Sequence, residues 1–143
     1  MQNDVIQIRC LEAGHEHYFD RIAEEVFDYA IDQNRLARYL ATPGHLIVVA
    51  LAGGEMIGQV AAVVHEHADL RPTELYIDEV GVTPAFQRQG VASRMLDTMF
   101  TLGKNLGCGE AWLGTEPDNE AAKQLYASRG APAEPVSMYV FKL

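Results

Sequence analysis

The chain has 143 residues and 48% apolar content, enough for one compact domain with a real core and too much for a disordered chain. Its formal net charge of −9, from 20 acidic and 11 basic residues, aids solubility, disfavours a nucleic-acid partner and suits a cationic one. No apolar run is long enough to span a bilayer, and the first residues lack the basic start and apolar core of a secretory signal, so no membrane partner and a cytoplasmic location are expected.

In chain order, DVIQIRC (residues 4–10) predicts a first strand through Val5, Ile6 and Ile8. Residues 15–30, HEHYFDRIAEEVFDYA, place Tyr18, Ile22, Val26 and Tyr29 on one helical face, with Phe19 and Phe27 beside it, and predict a helix. A second short helix is expected over residues 33–40, broken by Thr42-Pro43-Gly44. The stretch 27–40 mixes the acids Asp28 and Asp32 with the bases Arg35 and Arg38, as a solvated helix surface does. His45–Ala52 reads as a strand, Gly53-Gly54 as a hairpin turn and residues 55–64 as the returning strand, where Gly58 marks a bulge or a close approach. His65 and His67 share a face if the strand runs through them, but no third ligand is evident, so loop histidines are expected, as for His15 and His17. Cys10 and Cys108 stand far apart and outside any Cys-x-x-Cys pair, so two reduced thiols are expected, and no metal.

Residues 75–82, LYIDEVGV, predict a central strand ended by Thr83-Pro84, because proline gives no ladder donor and restricts the residue before it. Residues 90–106 predict a long helix with Val91, Ala92, Met95, Leu96, Met99, Phe100 and Leu106 at helical spacing and Gly107 at its C-terminal cap. Then come a strand over 110–115, a turn over 117–120, a helix over 119–128 capped by Asp118 or Asn119, a loop over 131–135 and a last strand, VSMYVFKL, over 136–143. Hairpins followed by strand–helix–strand units indicate an α/β fold with a mixed, mostly antiparallel central sheet flanked by helices, in a single domain over residues 1–143.

Between the central strand and the long helix lies Gln87-Arg88-Gln89-Gly90-Val91-Ala92. A helix N-terminus offers unpaired N–H groups and partial positive charge, and Gly90 lets a ligand approach the backbone. This is a seat for a pyrophosphate. No Gly-Lys-Ser/Thr follows Gly90, which excludes a Walker A loop, and the three spaced glycines of a dinucleotide fingerprint are missing.

Val82-Thr83-Pro84 followed by Gln87, Gly90 and Ala92 resembles motif A of the GNAT acetyltransferases. Asn119-x-x-Ala122-x-x-Leu125-Tyr126-x-x-x-Gly130 resembles that family's second signature, and the order of elements is similar over nearly the whole chain. The resemblance implies the GNAT acyl-CoA acyltransferase fold, acetyl-CoA as donor and an amine as acceptor. It implies that the donor's pyrophosphate takes backbone N–H groups of Gln87, Arg88, Gln89, Gly90, Val91 and Ala92, with Ser93 near. The pantetheine arm would lie along a splayed central-strand edge at Val80 and Val82, where Gly81 would suit a bulge, and Asn119 would contact that arm or cap its helix. Tyr126 matches the family's usual general acid.

Glu79 stands where the aminoglycoside 3-N-acetyltransferase group of this family carries an acid, and is expected to be the base. Asp78 points to the opposite face unless a bulge intervenes, and takes over the role if the faces shift; Asp78 and Asp28 are expected to bind substrate. The expected acceptor is a cationic small molecule such as an aminoglycoside or polyamine. The alternatives are a peptide or protein amine, or a non-catalytic acetyl-CoA-binding sensor. The last strand is a candidate for pairing across a homodimer.

Overall fold

Four runs of β-branched and small apolar residues build an antiparallel meander to which a short parallel strand is added. The computed structural model describes residues 5–143, so Asp4, the start of the expected first strand, lies outside the described residues. Two compact units, one running to Leu113 and one spanning Gly114–Leu143, are taken in turn.

In the first unit, β1 (Ile6–Leu11), β2 (His45–Ala52), β3 (Glu55–His65), β4 (Glu74–Val82) and β5 (Glu110–Trp112) form one sheet in the order β1-β2-β3-β4-β5. The first three pairings are antiparallel and β4–β5 is parallel. Gly53 and Gly54 both take positive φ, 58° and 80°, the twist a two-residue hairpin needs. Ile47, Val49 and Leu51 of β2 face a core with Phe19, Val26, Leu36 and Leu40. Val48 and Ala50, on the opposite face by strand alternation, are also fully buried, so the middle of the sheet is covered on both sides.

Helix α1 (Gln33–Ala41) starts at Asp32, whose carboxylate accepts the Arg35 N–H at 2.8 Å, and buries Leu36 and Leu40. Helix α2 (Val91–Asn105) buries Met95, Leu96 and Met99 and lies against β2 and β3. Gly107 ends it at φ 89°, with its N–H on the Lys104 carbonyl (3.0 Å) and the Cys108 N–H on the Gly103 carbonyl (2.9 Å), which satisfies two of the helix's last carbonyls. Both cysteines are free, and burial pushes their thiols above the usual range.

The helix expected over 15–30 does not form. A short 3-10 turn, Glu16–Phe19, is followed by an irregular strap over residues 21–28. The sheet supplies the hydrogen bonds that a helix would have made internally: Ala23 N–H to the Met56 carbonyl (2.9 Å), Met56 N–H to the Arg21 carbonyl (2.8 Å) and the Gln59 amide to the Val26 carbonyl (3.1 Å). Glu25, at φ 63°, also breaks helical geometry. The expected strand over 110–115 is shortened to β5.

In the second unit, α3 (Glu120–Ser128) is capped by Asn119 rather than Asp118; its side-chain oxygen accepts the Ala122 N–H at 3.1 Å. The last strand expected over 136–143 is absent. These residues make no ladder, and a strand exists only by pairing. Val136, Met138, Tyr139, Val140 and Phe141 are exposed. Among the described residues, no helix is long and apolar enough to cross a membrane.

Candidate active site

The register of β4 decides where its two acids point. Ala61 pairs with Glu79 but Ala62 pairs with Ile77, so Asp78 is an extra residue, a β-bulge. Leu75 and Ile77 are buried, and Leu75 packs under Gly103 of α2. Without the bulge, strand alternation would send Glu79 to that same apolar face. The extra residue turns Glu79 to the other face, the side of Asp78, so the two carboxylates share a side of the sheet. The bulge expected at Gly81 is therefore at Asp78. Gly81 pairs regularly with Gln59, and its lack of a side chain has another use: a Cβ there would collide with the Val26 carbonyl of the strap.

The strap half-covers Glu79. The Asp28 N–H donates to Glu79 Oε2 at 3.2 Å. Burial pushes the Glu79 carboxyl above the usual carboxylate range, and the charges of Asp28 and Asp78 add to that rise. The Asp28 N–H and the Gln59 amide oppose it. The Asp78 carboxyl is also raised by burial, with His45 pulling the other way. Tyr39 of α1 senses both acids; burial and then the Asp78 charge raise its phenol, which donates to the Leu46 carbonyl at 2.7 Å. Gln59, fully buried beneath the strap, has a side-chain oxygen with no hydrogen-bond partner among the described residues. Gln59 is the one polar residue in the otherwise apolar run MIGQVAAVV, residues 56–64.

At the far end of β4, a 3-10 turn (Pro84–Phe86) leads to the N-terminus of α2. Arg88 and Gly90 both take positive φ, 62° and 78°, and curl the backbone. The first helical bond joins the Arg94 N–H to the Gly90 carbonyl at 3.1 Å, so the N–H groups of Val91, Ala92 and Ser93 stand ahead of it. No side chain caps this end, and nothing lies within 4 Å of where a Gly90 Cβ would be. The side chains of Gln87 and Gln89 hydrogen-bond the backbone of the turn itself: Gln87 donates to the Val82 carbonyl at 3.0 Å and Gln89 to the Ala85 carbonyl at 3.2 Å. They brace the turn and leave the exposed Arg88 as its outward-facing charge.

The β4–β5 ladder covers only Glu74, Leu75 and Tyr76. Beyond Tyr76, among the described residues, β4 has a strand neighbour on the β3 side alone, and Val80 and Val82 lie on that single-sided stretch. In the second unit, Tyr126 lies on α3 and is partly buried, which raises its phenol above the usual value. Asn119 spends its side-chain oxygen on the helix cap.

Comparison with known proteins agrees with this architecture. The family model described as "Acetyltransferase (GNAT) family" matches residues 7–131. An uncharacterised N-acetyltransferase in the pepI 3′ region of Lactobacillus delbrueckii subsp. lactis is 28% identical over 70% of this chain, which spans 59% of that relative's length. The aminoglycoside N(6′)-acetyltransferase type 1 of Salmonella enteritidis is 28% identical over 87% of this chain and 90% of its own. The crystal structure of the aminoglycoside N-acetyltransferase AAC(6′)-Iy in complex with CoA superimposes with a TM-score of 0.81 at 21% identity, covering 99% of this chain and 98% of its own. Both named aminoglycoside enzymes are 6′ rather than 3-N acetyltransferases. With the family model matching most of its length, the chain belongs to the GNAT family of acetyltransferases.

Proposed function

We propose that this chain is an acetyl-CoA-dependent N-acetyltransferase whose acceptor is a cationic small-molecule amine, an aminoglycoside or a polyamine, with residues 1–143 acting as one catalytic domain. The observation that carries the reading is β4 itself: a single-sided strand with an uncapped helix N-terminus at one end and two carboxylates on one face, Glu79 half-buried and Asp78 exposed. The aminoglycoside relative and the net charge of −9 support the acceptor class.

Acetyl-CoA supplies the activated acetyl group. The N–H groups at the start of α2, with Arg88, hold its pyrophosphate, and the open edge at Val80 and Val82 holds its peptide-like arm by strand addition. An alkylamine has a pKa of about 10.4 and reaches the site protonated. Glu79 accepts that proton, and Asp78 and Asp28 hold the rest of the cation. Tyr126 donates a proton to the departing thiolate. Its raised phenol remains protonated through neutral pH, so the proton is always present when needed.

The test is thiol release from acetyl-CoA across a panel of aminoglycosides, spermidine, lysine-containing peptides and amino acids. Turnover on aminoglycosides or spermidine is expected. Turnover on peptides alone replaces the acceptor, and tight acetyl-CoA binding without any turnover replaces the enzyme with a sensor. Tyr126→Phe is expected to lower kcat by about a hundredfold while the Kd for acetyl-CoA stays within about twofold. An unchanged kcat removes Tyr126 from proton transfer.

A further inference from the structure

We propose that the loop end of the β3–β4 hairpin is a binding site for a zinc-class divalent transition-metal ion, with His65, His67 and Glu74 as ligands. The two histidines lacked a third ligand in sequence because Glu74 is nine positions beyond His65. The antiparallel register brings it back: His65 and Glu74, the last residue of β3 and the first of β4, are direct cross-strand partners. His67, two positions on, returns to the same side, and the two imidazole centroids are 4.5 Å apart.

Glu74 Oε2 is 2.8 Å from His67 Nε2 and 3.7 Å from His65 Nδ1. One ligand atom from each of the three residues falls within 4.8 Å of the others. Tetrahedral zinc, with ligand bonds of about 2.0–2.1 Å, requires ligand atoms about 3.3 Å apart, so small side-chain rotations bring these atoms into coordination. Two imidazoles and a carboxylate match a borderline ion and argue against magnesium or calcium, which prefer oxygen alone. His67 has only 8% of its side chain exposed, while His65 is 56% exposed, so one side of the site is braced and the other open to entry and to a fourth, water ligand.

The site is independent of the acetyltransferase reading. Glu79 and Glu74 pair with Ala61 and His65, four strand positions apart, so they lie about 13 Å apart along the sheet. The ion would join the ends of two neighbouring strands and stabilise the hairpin.

The experiment is zinc binding to the chelator-stripped full chain by calorimetry, with Co²⁺ absorption and thermal unfolding alongside. One ion per chain, a visible Co²⁺ band and a Tm raised by about 5 °C or more at a hundredfold excess over Kd are expected. Glu74→Gln keeps a hydrogen-bonding partner for His67 but loses the anionic ligand, and His65→Ala removes a mostly exposed side chain. Each is expected to weaken zinc at least about tenfold without lowering the metal-free Tm by more than a degree or two. Absence of binding in the parent chain, or unchanged affinity in both variants, overturns the proposal.

Discussion

Replacing Glu79 with glutamine should lower kcat/KM by about 10²–10⁴-fold, the range over which a positioned base contributes. The shape of the pH profile identifies the role. A base works only when ionised, and burial raises this carboxyl above its ordinary range, so kcat/KM of the parent should fall as pH drops through that raised value. In Glu79→Gln this limb should vanish. A uniform loss that keeps the limb would mean that Glu79 only binds the cation and that the ionisation belongs to Asp78, whose carboxyl is also raised. Stability should move the opposite way. A carboxylate raised in the folded state penalises folding once ionised; the penalty is absent below the unfolded pKa and complete above the folded one. The variant should therefore gain Tm at pH 7 and gain nothing near pH 3. Its amide oxygen can still accept the Asp28 N–H, so the gain reports charge removal rather than a lost contact.

Gly81→Ala should be the most destabilising single-methyl substitution in the first unit, costing about 3 kcal/mol. Its Cβ would collide with a backbone carbonyl, Val26, that no rotamer change can move aside. Gly114→Ala is the control, since nothing lies within 4 Å of its Cβ position, and it should stay within about 0.5 kcal/mol. Urea unfolding measures both. The Gly81 variant should also shift the acid limb of kcat/KM to lower pH, because a displaced strap readmits water to Glu79. A normal unfolding midpoint would mean that the strap does not pack on β4 in solution.

Elements with local instructions were legible in sequence. Helix α1 has Asp32 at its cap and α2 ends at Gly107, and both were anticipated within a residue or two. The strap was not. The apolar spacing of Phe19, Ile22 and Val26 serves a helix or a covering segment equally well, and the choice was made by Met56 and Gln59, far along the chain. The final strand had the right residues but no partner among those described. At the candidate site, the glycine turn and the acids could be named from sequence, but the shared face of Asp78 and Glu79 was left open. A sign of it was present: Leu75, Ile77, Val80 and Val82 step by two, three and two, and the step of three is the bulged residue. Glu74 was missed as a partner of the histidines because cross-strand register is a property of two segments rather than one.

The strap over residues 21–28 also links local motion to acidity. A handful of hydrogen bonds ties it to the sheet, so it belongs among the segments that open well below the cost of global unfolding. Opening it hydrates Glu79, and a hydrated carboxylate ionises more readily than the covered one. Raising the pH through that ionisation therefore increases the population in which residues 21–28 have lifted. Amide exchange at Ala23 and Asp28, corrected for intrinsic rates, should accelerate over that interval while the amides of β2 do not.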